Sequence, residues 1–209
     1  MIHIARRGVC LVLSAPSGAG KTAIAEALLA TEPNLERSVS VTTRERRPAE
    51  VDGVHYHFLT EDRFQSALGD NALLEWARVL QGTHAYGTPR APVERALAEG
   101  RDVVFDIDWQ GHRQLREKLP NDVVSVFVLP PNLTALKSRL VGRAGDHGEE
   151  IERRMRVACD EICHWVEFDH IVVNEDLAAA TETVRMVLHA ARSRTGRLTG
   201  LPGFVAGLV

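Results

Sequence analysis

The chain has 209 residues and a net charge of −3, with 25 lysines and arginines against 28 acidic residues. With 44% hydrophobic and 25% charged residues it has the composition of an ordinary globular protein, which argues against a strongly basic nucleic-acid-binding or membrane-surface protein. No apolar run reaches the length of a membrane span. Three cysteines, Cys10, Cys159 and Cys163, are too few for a disulfide framework, so we expect a reducing, cytoplasmic environment.

The first predicted element is an apolar strand at 8–14, which leads into a glycine-rich turn and then a helix at 20–30. The turn consists of Ala15, Pro16, Ser17, Gly18, Ala19, Gly20, Lys21 and Thr22. Strand, glycine-rich turn, Lys-Thr and helix are the context of a P-loop, whose main-chain N–H groups and helix N-terminus bind phosphates. Lys21 would contact the outer phosphates, and the Thr22 hydroxyl would hold Mg²⁺. Ala15 stands where the common pattern has its first glycine.

Strands and helices then alternate, which predicts an α/β fold with a parallel central sheet. The predicted strands are 8–14, 37–43, 102–107, 123–129 and 169–173. The predicted helices are 20–30, 60–68, 89–99, 110–118, 132–142, 148–166 and 176–193. The stretch from about 38 to 90 interrupts the alternation with turn signals and short β-like pieces, and we interpret it as a small mixed insertion. The tail at 195–209 packs on the domain, forms an oligomer contact or is loose.

Two acidic residues lie at the end of the predicted strand 102–107. Asp106 and Asp108 are two positions apart, so in an extended strand they point to the same side. In P-loop proteins an acid at such a strand end helps to hold Mg²⁺. Either residue could do so, directly or through a water, and the alternative is a pair of solvated acids. The P-loop upstream favours the metal-binding interpretation.

Arginines cluster after the strand at 123–129. Arg139 and Arg143 lie four apart on one helix face, where their repulsion costs roughly 0.2–0.5 kcal/mol. A polyphosphate facing the two arginines would make their proximity favourable, because guanidinium groups bind the equatorial oxygens of a phosphoryl group that is being transferred. We therefore expect phosphate contacts from Arg139, Arg143 and Arg154, and solvated positions for Arg153 and Arg156.

Two short patterns have competing interpretations. Cys159, Cys163 and His164 could form a metal site, but two thiols four apart on one helix face, with no second ligand pair nearby, favour no metal. The tripeptide at 132–134 matches a glycosylation site, but in a cytoplasmic chain Asn132 is better interpreted as a helix N-cap.

Further motifs follow the P-loop in a fixed order. They are Thr42-Thr43-Arg44 with Arg47-Pro48, the spacing of Gly53, Tyr56 and Phe58, Glu75-Trp76-Ala77, Tyr86-Gly87-Thr88, Asp106-Ile107-Asp108 with Gln110-Gly111, Gly142-Arg143 with Arg154, and Val173-Asn174. Each is weak alone, but together, from the P-loop to about residue 190, they resemble the guanylate kinase family. Many bacterial members also carry Ala-Pro-Ser-Gly in the P-loop, so Ala15 fits the family.

The resemblance implies a fold and an activity. It implies a P-loop parallel-sheet core with helices on both faces at 1–37, 91–130 and 158–209, a small mixed α/β GMP-binding insertion at 38–90, and a helical lid at 131–157. The activity is Mg²⁺-dependent phosphoryl transfer from ATP to GMP, giving ADP and GDP, with Thr22 and Asp106 at the metal. We expect no nucleic-acid or membrane partner, and a homo-oligomer is possible.

The resemblance also implies residue roles. The residues implied to bind GMP are Ser40, Arg44, Arg47, Tyr56, Glu75, Tyr86, Thr88 and Asp106. Those implied to bind ATP are the P-loop residues 15–22, Arg143 and Asn174, and those implied in catalysis are Lys21, Arg44, Arg139, Arg143 and Arg154. Guanidinium forks and phenols suit a phosphate dianion. An ionised Glu75 would accept both guanine donors, N1–H and the N2 amine, whereas adenine presents an acceptor there.

The sequence departs from the family pattern in two places. The stretch between Glu75 and Tyr86 is longer than usual and carries His84 and Ala85 where asparagine or tyrosine is common, and Val41 replaces a small polar residue. Two rival functions remain. A sugar-phosphate kinase of the same fold would need no guanine-binding set, and a non-catalytic interaction module would lose P-loop residues, which are intact here.

Overall fold

A computed structural model describes residues 4–79, 83–141 and 148–209. The strands are β1 (Cys10–Ser14), β2 (Leu35–Arg37), β3 (Val41–Thr42), β4 (His57–Phe58), β5 (Leu73–Val79), β6 (His84–Pro89), β7 (Asp102–Asp106), β8 (Val123–Leu129) and β9 (His170–Val173). The helices are α1 (Lys21–Thr31), α2 (Glu61–Gly69), α3 (Arg90–Ala98), α4 (Trp109–Lys118), α5 (Leu133–Val141), α6 (Gly148–Ile162), α7 (Leu177–Arg192) and α8 (Leu201–Ala206).

The larger sheet is parallel throughout, with the strand order β2-β7-β1-β8-β9. Its central strand, β1, is buried on both faces, which is why residues 9–13 form an uninterrupted apolar run. Leu11 and Leu13 pack toward the side of α1 and α7, whereas Cys10 and Val12 pack toward α3 and α4. The prediction of an α/β fold with a parallel core and helices on both faces is confirmed.

The second sheet is small and mixed, with the order β4-β3-β6-β5. β3 pairs with β4 in parallel, and β6 pairs antiparallel with both β3 and β5. Val41, Phe64, Leu73 and Ala85 form its own apolar core with α2. The apolar Val41, a departure from the family pattern, therefore serves packing.

Two predicted elements are wrong in their extent. The single strand at 37–43 is two strands in different sheets, because β2 ends at Arg37 beside β7 and β3 begins at Val41 beside β6. A β-like residue pattern does not encode which sheet a residue joins. The helix at 148–166 ends at Ile162 and continues as a 3₁₀ turn over Cys163–Glu167.

Local structure bears on three smaller features of the sequence. The Asn132 side chain accepts a hydrogen bond from the Ala135 N–H at 2.8 Å, as an N-cap does. Cys159 and Cys163 are exposed thiols, and in the described part of the chain no group of three or more His, Cys, Asp or Glu side chains is arranged to hold a metal. Among the helices formed by described residues, none is both long and apolar enough to span a membrane.

The tail begins by packing on the domain. Arg197 is buried, and its guanidinium donates to the carbonyls of Gly8 at 2.8 Å and Asp122 at 2.9 Å. The Arg197 carbonyl in turn accepts from the Arg7 N–H. The short helix α8, which the sequence analysis did not predict, follows this anchor.

Acid should destabilise the protein partly through His112. This histidine is 1% exposed, stacks on Phe168 at 4.2 Å and accepts from Arg116 Nε at 3.1 Å. Burial, and then the Arg116 charge, lower its pKa from 6.5 to about 4. Because protonation then favours the unfolded chain, His112 should cost the folded state about 3 kcal/mol as the pH falls from 7 to 4.

Denaturant titrations at several pH values measure this effect. We expect His112→Gln to lose less stability than the wild type between pH 7 and 4.5, by about 2–3 kcal/mol. His170→Gln, at an exposed position, is the control and should follow the wild type. If the free energy of unfolding fell equally with pH in the wild type and in His112→Gln, the assignment would be contradicted.

Candidate active site

The loop between β1 and α1 has a backbone that requires glycine at two positions. Gly18 and Gly20 have φ values of 90° and 99°, in the left-handed region. A Cβ on Gly20 would lie 2.2 Å from Asn174 Nδ2. The loop therefore curls tightly into the N-terminus of α1, where main-chain N–H groups and the helix dipole attract anions.

Asn174 supports this loop from the end of β9. Its buried carboxamide donates to the Ala19 carbonyl at 2.8 Å, and its own N–H donates to the Leu129 carbonyl at 2.7 Å. The family resemblance places Asn174 near the adenine of ATP. In the structure the side chain links the P-loop to the ends of β8 and β9.

Asp106, at the end of β7, contacts the Lys-Thr pair of the P-loop. Its carboxylate oxygens contact Lys21 Nζ at 2.7 Å and accept from the Thr22 hydroxyl at 2.9 Å, and Lys21 also donates to the Ile107 carbonyl at 3.2 Å. Burial raises the pKa of Asp106, but Lys21 and Thr22 outweigh it and hold the pKa below its usual value. Asp108 has a different task, since it accepts from the Gly111 N–H at 2.8 Å and caps α4.

The oxygen donors at this point fit a hard divalent cation. The Thr22 hydroxyl and the Asp106 carboxylate face each other at 2.9 Å, and Mg²⁺ prefers such oxygen ligands together with substrate phosphates. A cation here would compete with the contacts from Lys21 and Thr22 that now occupy both Asp106 oxygens.

Helix α6 contacts the P-loop at Ser17 through two residues. Arg154 Nη2 donates to the Ser17 hydroxyl at 3.2 Å, and Glu161 accepts from the Ser17 N–H at 3.3 Å. Glu161, Asp106 and Asp108 line the same cavity of about 270 Å³ as the P-loop. Burial raises the pKa of Glu161. Sequence reasoning missed Glu161, whose only signal is its position two helical turns after Arg154.

The remaining arginines of this region differ in placement. Arg139 Nη2 donates to the Asn174 carbonyl at 3.0 Å, and its buried Nη1 has no partner among the described residues. Arg143 lies outside the described residues. Arg153 and Arg156 are exposed, and Arg153 pairs with Glu150.

A second cluster of polar groups lies in the insertion. Arg44 Nε donates to the Tyr86 hydroxyl oxygen at 3.3 Å, and its guanidinium lies 5.5 Å from the centre of the Tyr56 ring. The two tyrosine rings meet edge to face at 5.9 Å. Arg47 is exposed, and its main-chain N–H donates to Glu50 Oε2 at 2.8 Å. The structure thus brings together Arg44, Tyr56 and Tyr86, three of the four residues implied to hold the acceptor phosphate.

Glu75 is a buried acid on β5. It is 6% exposed, and its carboxylate accepts from the Thr88 hydroxyl at 2.6 Å. Burial raises the pKa of Glu75 to about 7, Thr88 opposes that change, and the Asp108 charge adds to it. Gly111 leaves room beside the carboxylate, since a Cβ there would lie 3.1 Å from Glu75 Oε2.

A serine that sequence reasoning did not single out lies beside Thr88. The Ser38 hydroxyl oxygen lies 3.4 Å from that of Thr88, while Ser40 accepts from the His57 N–H through its main-chain carbonyl. Sequence reasoning also missed Glu50, which bonds to Arg44 Nη2. Glu50 and Arg44 are six residues apart in a loop, where no periodicity indicates that they meet.

Comparisons with known proteins agree on one family. A sequence profile described as guanylate kinase matches residues 7–191. The guanylate kinase of Gluconobacter oxydans is 60% identical over 99% of this chain and 98% of its own length, and that of Chelativorans sp. is 56% identical over 99% and 94%. A crystal structure of guanylate kinase from Anaplasma phagocytophilum matches with a TM-score of 0.78 and 32% identity, covering 98% of this chain and 96% of that one.

The backbone at Gly20 generates a testable expectation. Gly20→Ala should lower the free energy of unfolding by roughly 1–3 kcal/mol, because an L-residue is strained at φ 99° and the new Cβ displaces Asn174. Gly69→Ala is the matched control, since nothing lies within 4 Å of a Cβ there and the residue ends helix α2. Denaturant unfolding compares them, and equal stability of the two variants would refute the argument.

Proposed function

The chain belongs to the guanylate kinase family, and from that premise we propose that it transfers the γ-phosphoryl group of ATP to GMP, giving ADP and GDP. The observation that carries the proposal is a short segment that runs from the end of β7 into the first turn of α4. At one end, the Ile107 carbonyl accepts a hydrogen bond from Lys21 of the P-loop, where ATP, the phosphoryl donor, would bind. At the other end, Gly111 lies beside Glu75, where GMP, the phosphoryl acceptor, would bind. Segment 107–111 thus joins the P-loop to the buried acid.

The donor side binds the triphosphate. The P-loop N–H groups and Lys21 bind its phosphates, and Arg154 reaches the same loop from α6. Mg²⁺, held by Thr22 and Asp106, would neutralise charge on the phosphate oxygens when bound. Arg139 and Arg143 complete the proposed set of cations around the transferred group.

The acceptor side binds GMP at both ends. Arg44, Arg47, Tyr56 and Tyr86 offer N–H and O–H donors to a phosphate dianion. Glu75 lies at the other end, and an ionised carboxylate accepts from guanine N1–H and the N2 amine. Adenine would place an acceptor against that carboxylate, and each buried polar group left unpaired costs about 1–3 kcal/mol.

Catalysis requires no covalent intermediate on the protein. The residues orient the GMP phosphate toward the γ-phosphorus, and Lys21 and the arginines stabilise the charge that spreads over its oxygens. We assign this work to a core at 1–37, 91–130 and 158–209, a GMP-binding insertion at 38–90 and a lid at 131–157. Closure of the insertion and lid would exclude water, which otherwise competes as phosphoryl acceptor.

Neither rival function is favoured. A sugar-phosphate kinase has no use for the buried Glu75 with its Thr88 donor. A non-catalytic module has no need for the intact contacts of Lys21 and Thr22 with Asp106. The cytoplasmic location belongs to the same proposal, and the three free thiols support it.

Glu75 provides the test of GMP recognition. Glu75→Gln should weaken GMP binding roughly 10- to 100-fold and leave ATP affinity within about twofold of the wild type. The reason is that one hydrogen-bond acceptor becomes a donor, which faces the N–H donors of guanine. Calorimetric titration of each nucleotide at pH 8 measures both affinities. Equal weakening of GMP and ATP would make Glu75 a structural residue and remove the main support for GMP as acceptor.

The same residue predicts a pH dependence with a definite sign. Because the pKa of Glu75 is about 7, the acid is protonated at lower pH and cannot accept both guanine donors. GMP affinity should rise about tenfold per pH unit up to about pH 7 and then level off. In Glu75→Gln the GMP phosphate still titrates, but the part of the pH dependence of GMP affinity that comes from Glu75 should disappear. A plot of log GMP affinity against pH with the same slope in Glu75→Gln as in the wild type would contradict the assignment.

A further inference from the structure

The guanidinium of Arg44 is held by three different neighbours. Nε donates to the Tyr86 hydroxyl oxygen at 3.3 Å, Nη1 to the Glu45 main-chain carbonyl at 2.7 Å, and Nη2 to Glu50 Oε1 at 2.7 Å. A guanidinium has five N–H donors, so one N–H on each terminal nitrogen remains for a ligand. Arg44 can therefore contact a phosphate while it keeps all three neighbours.

Glu50 is itself fixed in place by the turn in which it lies. Its second carboxylate oxygen accepts from the Arg47 N–H at 2.8 Å, and its own N–H donates to the Arg47 carbonyl at 3.0 Å. The Glu50 side chain is 14% exposed and that of Arg44 is 13% exposed. Arg44 and the main chain at Arg47 hold the pKa of Glu50 below its usual value, so the acid stays ionised at neutral pH.

We propose that Glu50 is a positioning residue for the acceptor phosphate, which fixes Arg44 and the turn at Arg47 in the orientation that receives a phosphate dianion. This inference rests on the proposed function. Ordering a long side chain has an entropic cost, and a site that is ordered before binding avoids that cost. Glu50 orders Arg44 through one oxygen and the Arg47 main chain through the other.

A competing role for Glu50 has the opposite consequence. A carboxylate beside a phosphate dianion repels it, so Glu50 could hold the site closed and lower GMP affinity. The structure favours positioning, because Arg44 retains two donors and the exposed Arg47 guanidinium adds a positive charge at the same turn. Removing the charge of Glu50 distinguishes the two roles by the sign of the change.

The experiment measures GMP and guanosine affinities of the full chain by titration. We expect Glu50→Ala to weaken GMP binding about tenfold or more. Glu50→Gln should weaken GMP binding less, because the Gln side chain keeps one oxygen acceptor. Guanosine, which lacks the phosphate, should bind both variants within about twofold of the wild type, and so should ATP. Glu45→Ala removes an exposed carboxylate from the same loop but keeps the main-chain carbonyl that accepts from Arg44, so it should leave GMP affinity unchanged.

The outcomes separate the inference from the function. Tighter GMP binding in Glu50→Ala and Glu50→Gln would show that Glu50 competes with the phosphate, and unchanged binding would show that it does not position Arg44. Equal loss of guanosine and GMP would indicate general damage to the insertion and also overturn the inference. A wild-type chain that binds no GMP would instead refute the proposed function.

Discussion

The contact between Asp106 and the Lys21–Thr22 pair is the interaction on which the site depends. It joins the end of β7 to the start of α1, the helix that follows the neighbouring strand β1, through one charge-assisted connection. Segment 107–111 leaves this point and reaches Glu75, while Asn174 holds the P-loop from the other side. The P-loop and the Glu75 carboxylate are therefore both linked to the carboxyl edge of the larger sheet.

Three carboxylates contact groups that the proposed function assigns to phosphate binding. Asp106 pairs with Lys21, Glu50 with Arg44, and Glu161 accepts from the Ser17 N–H of the P-loop. Each acid provides an acceptor for a cation or an N–H donor of the site. The three acids differ in electrostatics, because partners lower the pKa of Asp106 and Glu50 whereas burial raises that of Glu161. Both Asp106 oxygens already have partners, whereas Arg44 has two N–H groups left beyond its contacts with Tyr86, Glu45 and Glu50.

Sequence reasoning predicted the parallel core because apolar runs, glycine-rich turns and helical patterns are local signals. It failed where the chain changes partners: the strand at 37–43 divides between two sheets, and the preference for strand is the same on both sides of the division. Motif order indicated Arg44, Tyr86 and Glu75, which the structure places in two polar clusters. It did not indicate Glu50, Glu161 or Ser38, because their contacts depend on how loops, helix α6 and strand β6 meet in three dimensions.

The most direct test is product analysis with the full chain, ATP and Mg²⁺, offering GMP, dGMP, AMP or a ribose bisphosphate as acceptor. The account predicts one GDP formed per ADP with GMP, a similar stoichiometry with dGMP, and little ADP with the other acceptors or with water. ADP formation that is indifferent to GMP, or that is fastest with the ribose bisphosphate, would contradict it.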